Sequence, residues 1–304
     1  MKKILFSVML LCSSSIGFAQ IFNVSSVEKV NLPEGTAVYQ SRISPQGDYL
    51  LISDLNKEGL KTLDLTTGSV KTLTTAAGSS FDAQISADGK TVVFRESQVG
   101  KDRLKRVSLK SVNVATGETK TLVKATRNLQ GVEVNQGTVF AIEKGKLMKK
   151  SLSNVKANAE RPVLSIKYGQ LMITRNGKTS ILSPNGQQGA SYLWPSLSPD
   201  GTKIVYYLAT KGAYTCDING QNIKYLGSIR APKWYNNDIV VGMNDRDNGA
   251  VVTSSSILAV TADGATKQVL TDAKQIAMYP SASASSQKIS FSTPEGETYI
   301  INVK

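Results

Sequence analysis

One turn constrains this chain more than any other feature. Ser198-Pro199-Asp200-Gly201 is entered by Tyr192-Leu193-Trp194-Pro195-Ser196-Leu197 and left by Thr202-Lys203-Ile204-Val205-Tyr206-Tyr207. Pro199 presets φ at the second turn position, and Gly201 supplies the flexible residue at its end. The β-branched and aromatic residues that follow belong in a strand, so the unit reads as a β-hairpin. Weaker copies recur along the chain. Ile43-Ser44-Pro45-Gln46-Gly47 precedes Tyr49-Leu50-Leu51-Ile52, and Ile85-Ser86-Ala87-Asp88-Gly89 precedes Thr91-Val92-Val93-Phe94. Looser matches begin at Asn135, Lys167, Tyr235 and Ser283.

Ser44 and Ser283 are 239 residues apart over six intervals, a mean of about 40. Each unit should also carry a later hairpin between its third and fourth strands. The candidates are Thr67-Gly68, Thr116-Gly117, Asn185-Gly186, Asn219-Gly220 and Asp263-Gly264, with only Ser153-Asn154 in the third unit. Asn-Gly and Asp-Gly favour two-residue primed turns. A period near 40 with four strands per unit is the signature of a β-propeller. The expectation is an all-β fold of seven four-stranded blades. Six is the alternative, because units three and four are short and irregular. The last unit ends at its third strand, Tyr299 to Val303, so the segment Val24 to Leu32 is expected to supply the fourth strand and close the ring.

The first residues have another purpose. Lys2 and Lys3, the mainly apolar Ile4 to Leu11, and Gly17-Phe18-Ala19 before Gln20 read as a signal peptide over 1–19, cleaved after Ala19. Its apolar core is too short to cross a bilayer. No later stretch reaches ~18 consecutive apolar residues. Residues 20–304 are therefore expected to be one propeller domain with no transmembrane segment, periplasmic or secreted. Cleavage leaves Cys216 alone, which rules out an intramolecular disulfide and reads as a small buried hydrophobe.

The Ser-Pro-Asp-Gly turn with its Ile204-Val205-Tyr206-Tyr207 strand resembles the TolB-like, WD-like propeller repeats of exported bacterial proteins. Asn244-Asp245-Arg246-Asp247-Asn248-Gly249 looks like the polar loop between the second and third strands of that repeat. The likeness runs over most of the mature chain and is strongest at Ser44, Ser86 and Ser198. It implies a fold more than an activity. TolB itself carries an α/β domain ahead of its propeller, and the stretch from Gln20 to Tyr39 is too short for one.

Composition narrows the function. The chain has no histidine, which excludes Ser-His-Asp and Cys-His catalysis and imidazole metal ligands. Asp54 and Asp64 read as turn-capping groups and not as a catalytic pair. Asp245, Asp247 and Asn248 have part of a calcium-loop spacing but lack its distal Glu, so no metal is expected. No phosphate-cradling loop opens a helix, and no cofactor or catalytic residue is assigned. Loss of Lys2 and Lys3 leaves 34 basic residues against 23 acidic ones, a net of +11. Residues 95–167 hold 16 basic and 6 acidic residues, so the excess is concentrated there. That sector suits an acidic partner or anionic glycan, and lacks the regular aromatics of a nucleic-acid surface. In a propeller, residues just before each innermost strand gather at one end of the central channel. Gln40, Asp82, Trp194, Arg230 and Tyr279 are the candidates for ligand binding there. Two functions follow. The first is a non-catalytic binding or assembly module for an envelope protein or peptide. The alternative is a carbohydrate-binding or glycan-active propeller using carboxylates and rim aromatics.

Overall fold

The computed structural model describes residues 20–152 and 161–304. The expected signal peptide and the Ser153-Asn154 turn lie outside the described residues. Seven antiparallel sheets are arranged as the blades of a propeller, and no helix is present among the described residues. Blade 1 contains β2 (Val38–Ile43), β3 (Tyr49–Asp54), β4 (Leu60–Asp64) and β5 (Val70–Thr74). Blade 2 contains β6 (Gln84–Ile85), β7 (Thr91–Val99), β8 (Lys105–Asn113) and β9 (Thr119–Thr126). Blade 3 has β10 (Leu129–Asn135), β11 (Thr138–Glu143) and β12 (Lys146–Ser151), and blade 4 has β13 (Val163–Lys167), β14 (Gln170–Arg175) and β15 (Lys178–Ile181). Blade 5 contains β16 (Tyr192–Leu197), β17 (Lys203–Leu208), β18 (Gly212–Asp217) and β19 (Lys224–Gly227). Blade 6 contains β20 (Arg230–Trp234), β21 (Ile239–Asp247), β22 (Val252–Thr261) and β23 (Lys267–Val269). Blade 7 contains β24 (Met278–Ser283), β25 (Lys288–Ser292) and β26 (Thr298–Val303), and takes its outer strand from β1 (Val24–Lys29).

The ring closes as expected. β1 runs antiparallel to β26, with Val27 opposite Ile301 and Glu28 opposite Ile300. This joins the two ends of the chain in one sheet and covers an edge that would otherwise stay unpaired. Seven blades are present, five of them four-stranded among the described residues. Blades 3 and 4 have three strands each among the described residues. In blade 4 the reason is visible. Asn185-Gly186, expected to join a third and fourth strand, lies after β15 in the connection to blade 5, where Tyr192 Oη accepts the Asn185 N–H at 2.8 Å.

The sheets stand radially, so their middle strands are covered on both faces by neighbouring blades. Such strands are near-continuous apolar runs without alternation, as at Tyr49–Ile52, Val139–Ile142 and Val240–Met243. The core accordingly divides into seven wedges. One packs Leu51 and Leu60 of blade 1 on Val92 and Phe94 of blade 2, and another packs Leu171 and Ile173 of blade 4 on Ile204 and Tyr206 of blade 5. Full burial of each such side chain contributes about 1.5–3 kcal/mol.

The repeated turn works by one hydrogen-bond set. Ser198 Oγ donates to Asp200 Oδ1 at 2.6 Å and accepts the Lys203 N–H at 2.9 Å, while Gly201, at φ 74°, donates to the Ser198 carbonyl. Ser86 with Asp88 and Ser44 with Asp48 repeat the serine-to-carboxylate bond at 2.6 Å. The later hairpins are not two-residue primed turns. Asp217 N–H bonds the Gln221 carbonyl around a three-residue loop, and Asp64 N–H bonds the Ser69 carbonyl around a four-residue one. Only the glycine of each has positive φ, whereas a primed type I turn needs two such residues.

Candidate partner-binding mouth of the central channel

From β6 through β10, β13, β16, β20 and β24 to β2, the first strand of each blade adjoins the next around the axis. Most of them contain a β-bulge near their start. The pairing slips between Leu193 and Ser196, between Arg230 and Lys233, and between Met278 and Ser281. Pro195, Pro232 and Pro280 fall in these slips, where the ladder asks for no backbone donor. At the bulge the chain enters the left-handed region at Trp194 (φ 48°), Ala231 (47°) and Tyr279 (53°), and at the equivalent Asp82 (53°). A bulge bends its strand and re-aims the side chain it carries. The sequence-based candidates therefore lie inside their strands, at the bulge, with the exception of Asp82, which precedes β6 by two residues.

Three of the five candidates come together. The Arg230 guanidinium lies 6.0 Å from the Trp194 ring centre, within cation–π range, and acts electrostatically on Tyr279. Register makes Ala231 the counterpart of Trp194 and Tyr279, and Arg230 reaches the cluster from one position earlier. The sequence did not single out the residues that complete the cluster. Tyr207 packs edge-on against Trp194 at 5.5 Å, Tyr39 lies 5.2 Å from Tyr279 with their hydroxyls 3.1 Å apart, and Lys57 sits 4.4 Å over the Tyr39 ring. Burial, reinforced by the Tyr39 hydroxyl, pushes the Tyr279 phenol up to about 12. It stays a neutral hydrogen-bonding group at physiological pH.

Gln40 and Asp82, at the same repeat position as Trp194 and Tyr279, contact a second group of residues. Arg42 donates to Gln40 Oε1 at 3.4 Å, and Asp82 lies 4.0 Å from Arg95. Asp82, Glu133, Arg42 and Lys233, from blades 2, 3, 1 and 6, all act on one another's charge or on a shared neighbour's. Only the axis brings those blades together. Burial holds the Lys233 ammonium below its ordinary value, and the Arg42 charge adds to this. Burial raises the Glu133 carboxyl although Arg161 Nε is 2.8 Å away. A sequence signal exists for this group. Arg42 and Gln84, like Ser196, stand two residues before the first serine of the repeated turn.

The other sequence candidates have local roles. Asp245 Oδ2 is 2.6 Å from Arg230 Nη1 and its side chain is 1% exposed, while Asp247 and Asn248 accept N–H groups of their own turn. Asp64 caps Thr66 and Thr67, and Asp54 caps Glu58. Cys216 is buried, and burial pushes its thiol up to about 12. The basic sector occupies blades 2 and 3 and the first strand of blade 4. A groove of about 580 Å³ on it runs between β9 and the β11–β12 hairpin, lined by Lys124, Lys144 and Lys150 with Leu122 and Met148.

No known protein-family model matches the chain, and no curated protein matches it. Solved structures do. The Cps50 (Swd1) β-propeller domain of Myceliophteria thermophila superposes with a TM-score of 0.58 at 12% identity, covering 93% of this chain and 100% of that one. A putative TolB from Agrobacterium tumefaciens gives 0.51 at 15% identity, covering 87% and 89%. TolB from Acinetobacter baumannii gives 0.50 at 17% identity over 76% of this chain. The fold is a TolB-like β-propeller. The chain spans about half the length of the Acinetobacter TolB, at 53%. At these identities the likeness establishes architecture and leaves activity to the site itself.

Proposed function

We propose that this protein is an exported, non-catalytic propeller that captures a protein or peptide partner at the mouth of its central channel, as a binding or assembly module of the bacterial cell envelope. One observation carries the reading. Trp194 and Tyr279 are held in left-handed backbone conformations that cost of order 1 kcal/mol each, at equivalent bulges that gather aromatic rings and Arg230 at one end of the axis. Strained backbone persists where the surrounding fold over-determines it, and such places cluster at ligand-binding sites. Trp, Tyr and Arg are also the side chains that dominate protein–protein binding energy. The signal-peptide pattern over 1–19 and the repeat likeness support the envelope setting. No helix among the described residues is long and apolar enough to cross a membrane.

Affinity capture from envelope extract tests this reading. The wild-type protein should retain a partner that Tyr279→Ala loses, with both proteins folded. Equal retention would remove the mouth as the site. A second reading, an anionic glycan on the basic sector, is favoured by the groove of Lys124, Lys144 and Lys150. A thermal-shift panel of uronate-containing oligosaccharides tests it, since a ligand that binds only the folded state raises Tm.

A further inference from the structure

Beneath the aromatic mouth the channel holds more positive than negative charge. Arg42, Arg95, Arg161 and Lys233 face only Asp82 and Glu133. Arg161 is taken by Glu133 at 2.8 Å, and Arg95 lies 4.0 Å from Asp82. Arg42 and Lys233 have no carboxylate within 4 Å among the described residues. The hydrogen bonds of Arg42, to the Ser80 carbonyl and to Gln40, are all 3.4 Å, beyond the usual 2.7–3.2 Å range. The Lys233 ammonium donates no hydrogen bond to a described residue, although its backbone is part of the β20–β21 ladder. Blade 7 stands between the blades that carry these two cations, and its Ser281 Oγ accepts the Ile43 N–H at 3.3 Å, which leaves the hydroxyl proton free to donate.

Unpaired cations in a protein-lined channel are costly, and a chain retains them where an outside anion completes the set. A guanidinium from the first strand of blade 1 and an ammonium from that of blade 6, with a hydroxyl on the blade between them, make a donor array for a carboxylate. A channel walled by low-dielectric blades also focuses that field towards its opening. We propose that the channel is a carboxylate-binding site in which Arg42 and Lys233 receive an acidic side chain of the partner docked on the mouth. This rests on the partner-capture reading and adds its chemistry: the segment that enters is acidic.

Fluorescence anisotropy with a labelled hexaglutamate peptide tests the site directly, with hexaglutamine as the neutral control. Wild type should bind hexaglutamate well above the control, and Arg42→Gln/Lys233→Gln should weaken it by about tenfold or more, the scale of one charge-assisted hydrogen bond. Lys178→Gln/Lys224→Gln, exposed on the outermost described strands of blades 4 and 5, should change it by less than about twofold, the effect of exposed charges. Citrate should compete, which separates recognition of carboxylates from recognition of a peptide backbone. Hexaglutamate binding no tighter than the control in wild type, a measurement independent of any variant's folding, would overturn the proposal. So would a loss that follows the outer lysines in place of the channel pair. An envelope partner lost by Tyr279→Ala but retained by Lys233→Gln would keep the mouth as the capture site and refute its acidic specificity.

Discussion

Arg230→Ala should destabilise the propeller itself, and the structure gives the size of the effect. Arg230 Nη1 lies 2.6 Å from Asp245 Oδ2, the Asp245 side chain is 1% exposed, and Asp245 Oδ1 has no hydrogen-bond partner. Removing the arginine strands a buried carboxylate. Breaking a buried pair by deleting one partner costs about 3–5 kcal/mol. Arg230 is 38% exposed, so water can enter the space it leaves, and about 2–3 kcal/mol is the expected cost. In a chain of this length that lowers Tm by about 3–5 °C. Thermal denaturation of wild type, Arg230→Ala, Asp245→Asn and the double variant forms a cycle. The double variant should recover at least about 1 kcal/mol of the single variant's loss, because no buried charge remains to be orphaned. An Arg230→Ala protein that melts within a degree of wild type, or a cycle that is simply additive, would refute the reasoning. Arg230→Ala alone is consequently a poor probe of binding, because it combines a lost contact with a loosened blade 6.

Gly131→Ala should be among the most damaging small substitutions. A Cβ at Gly131 would lie 2.2 Å from the Leu164 carbonyl oxygen of blade 4, a backbone atom, so loss of soluble folded protein or a fall of several kcal/mol in chemical denaturation is expected. Ser198→Ala removes one donated and one accepted hydrogen bond of a fully buried hydroxyl and should cost about 1–3 kcal/mol, measured the same way. Cys216 should resist thiol reagents at pH 8, well below its raised value of about 12, and react only when the blade opens. Rapid labelling in native buffer would contradict its placement.

The blade pattern was legible because the repeated turn uses local chemistry. Ser44, Ser86 and Ser198 each bond a carboxylate two to four residues on, and such contacts leave a mark in sequence. Closure by β1 was legible because the last unit is one strand short. The missing fourth strand of blade 4 was not, since Asn185-Gly186 forms a turn either way, and tyrosine contacts from blade 5 decide its place. The mouth was legible in part. Trp194 and Tyr279 stand before prolines and mark the bulge, and Arg230 was found one residue away from the repeat position that Ala231 fills. Tyr39, Tyr207 and Lys57 reach the same cluster through packing between blades, which spacing along the chain does not encode.

The most direct test of partner capture is a comparison of wild type with Tyr279→Ala in quantitative pull-down from envelope extract. Tm is recorded on the same preparations, and the outer-face variant Lys178→Gln/Lys224→Gln serves as control. The expected result is one enriched partner that the wild type and the outer-face variant hold and Tyr279→Ala loses while still folded. A partner held equally by all three, or lost only by the outer-face variant, would contradict the assignment of the channel mouth as the binding site.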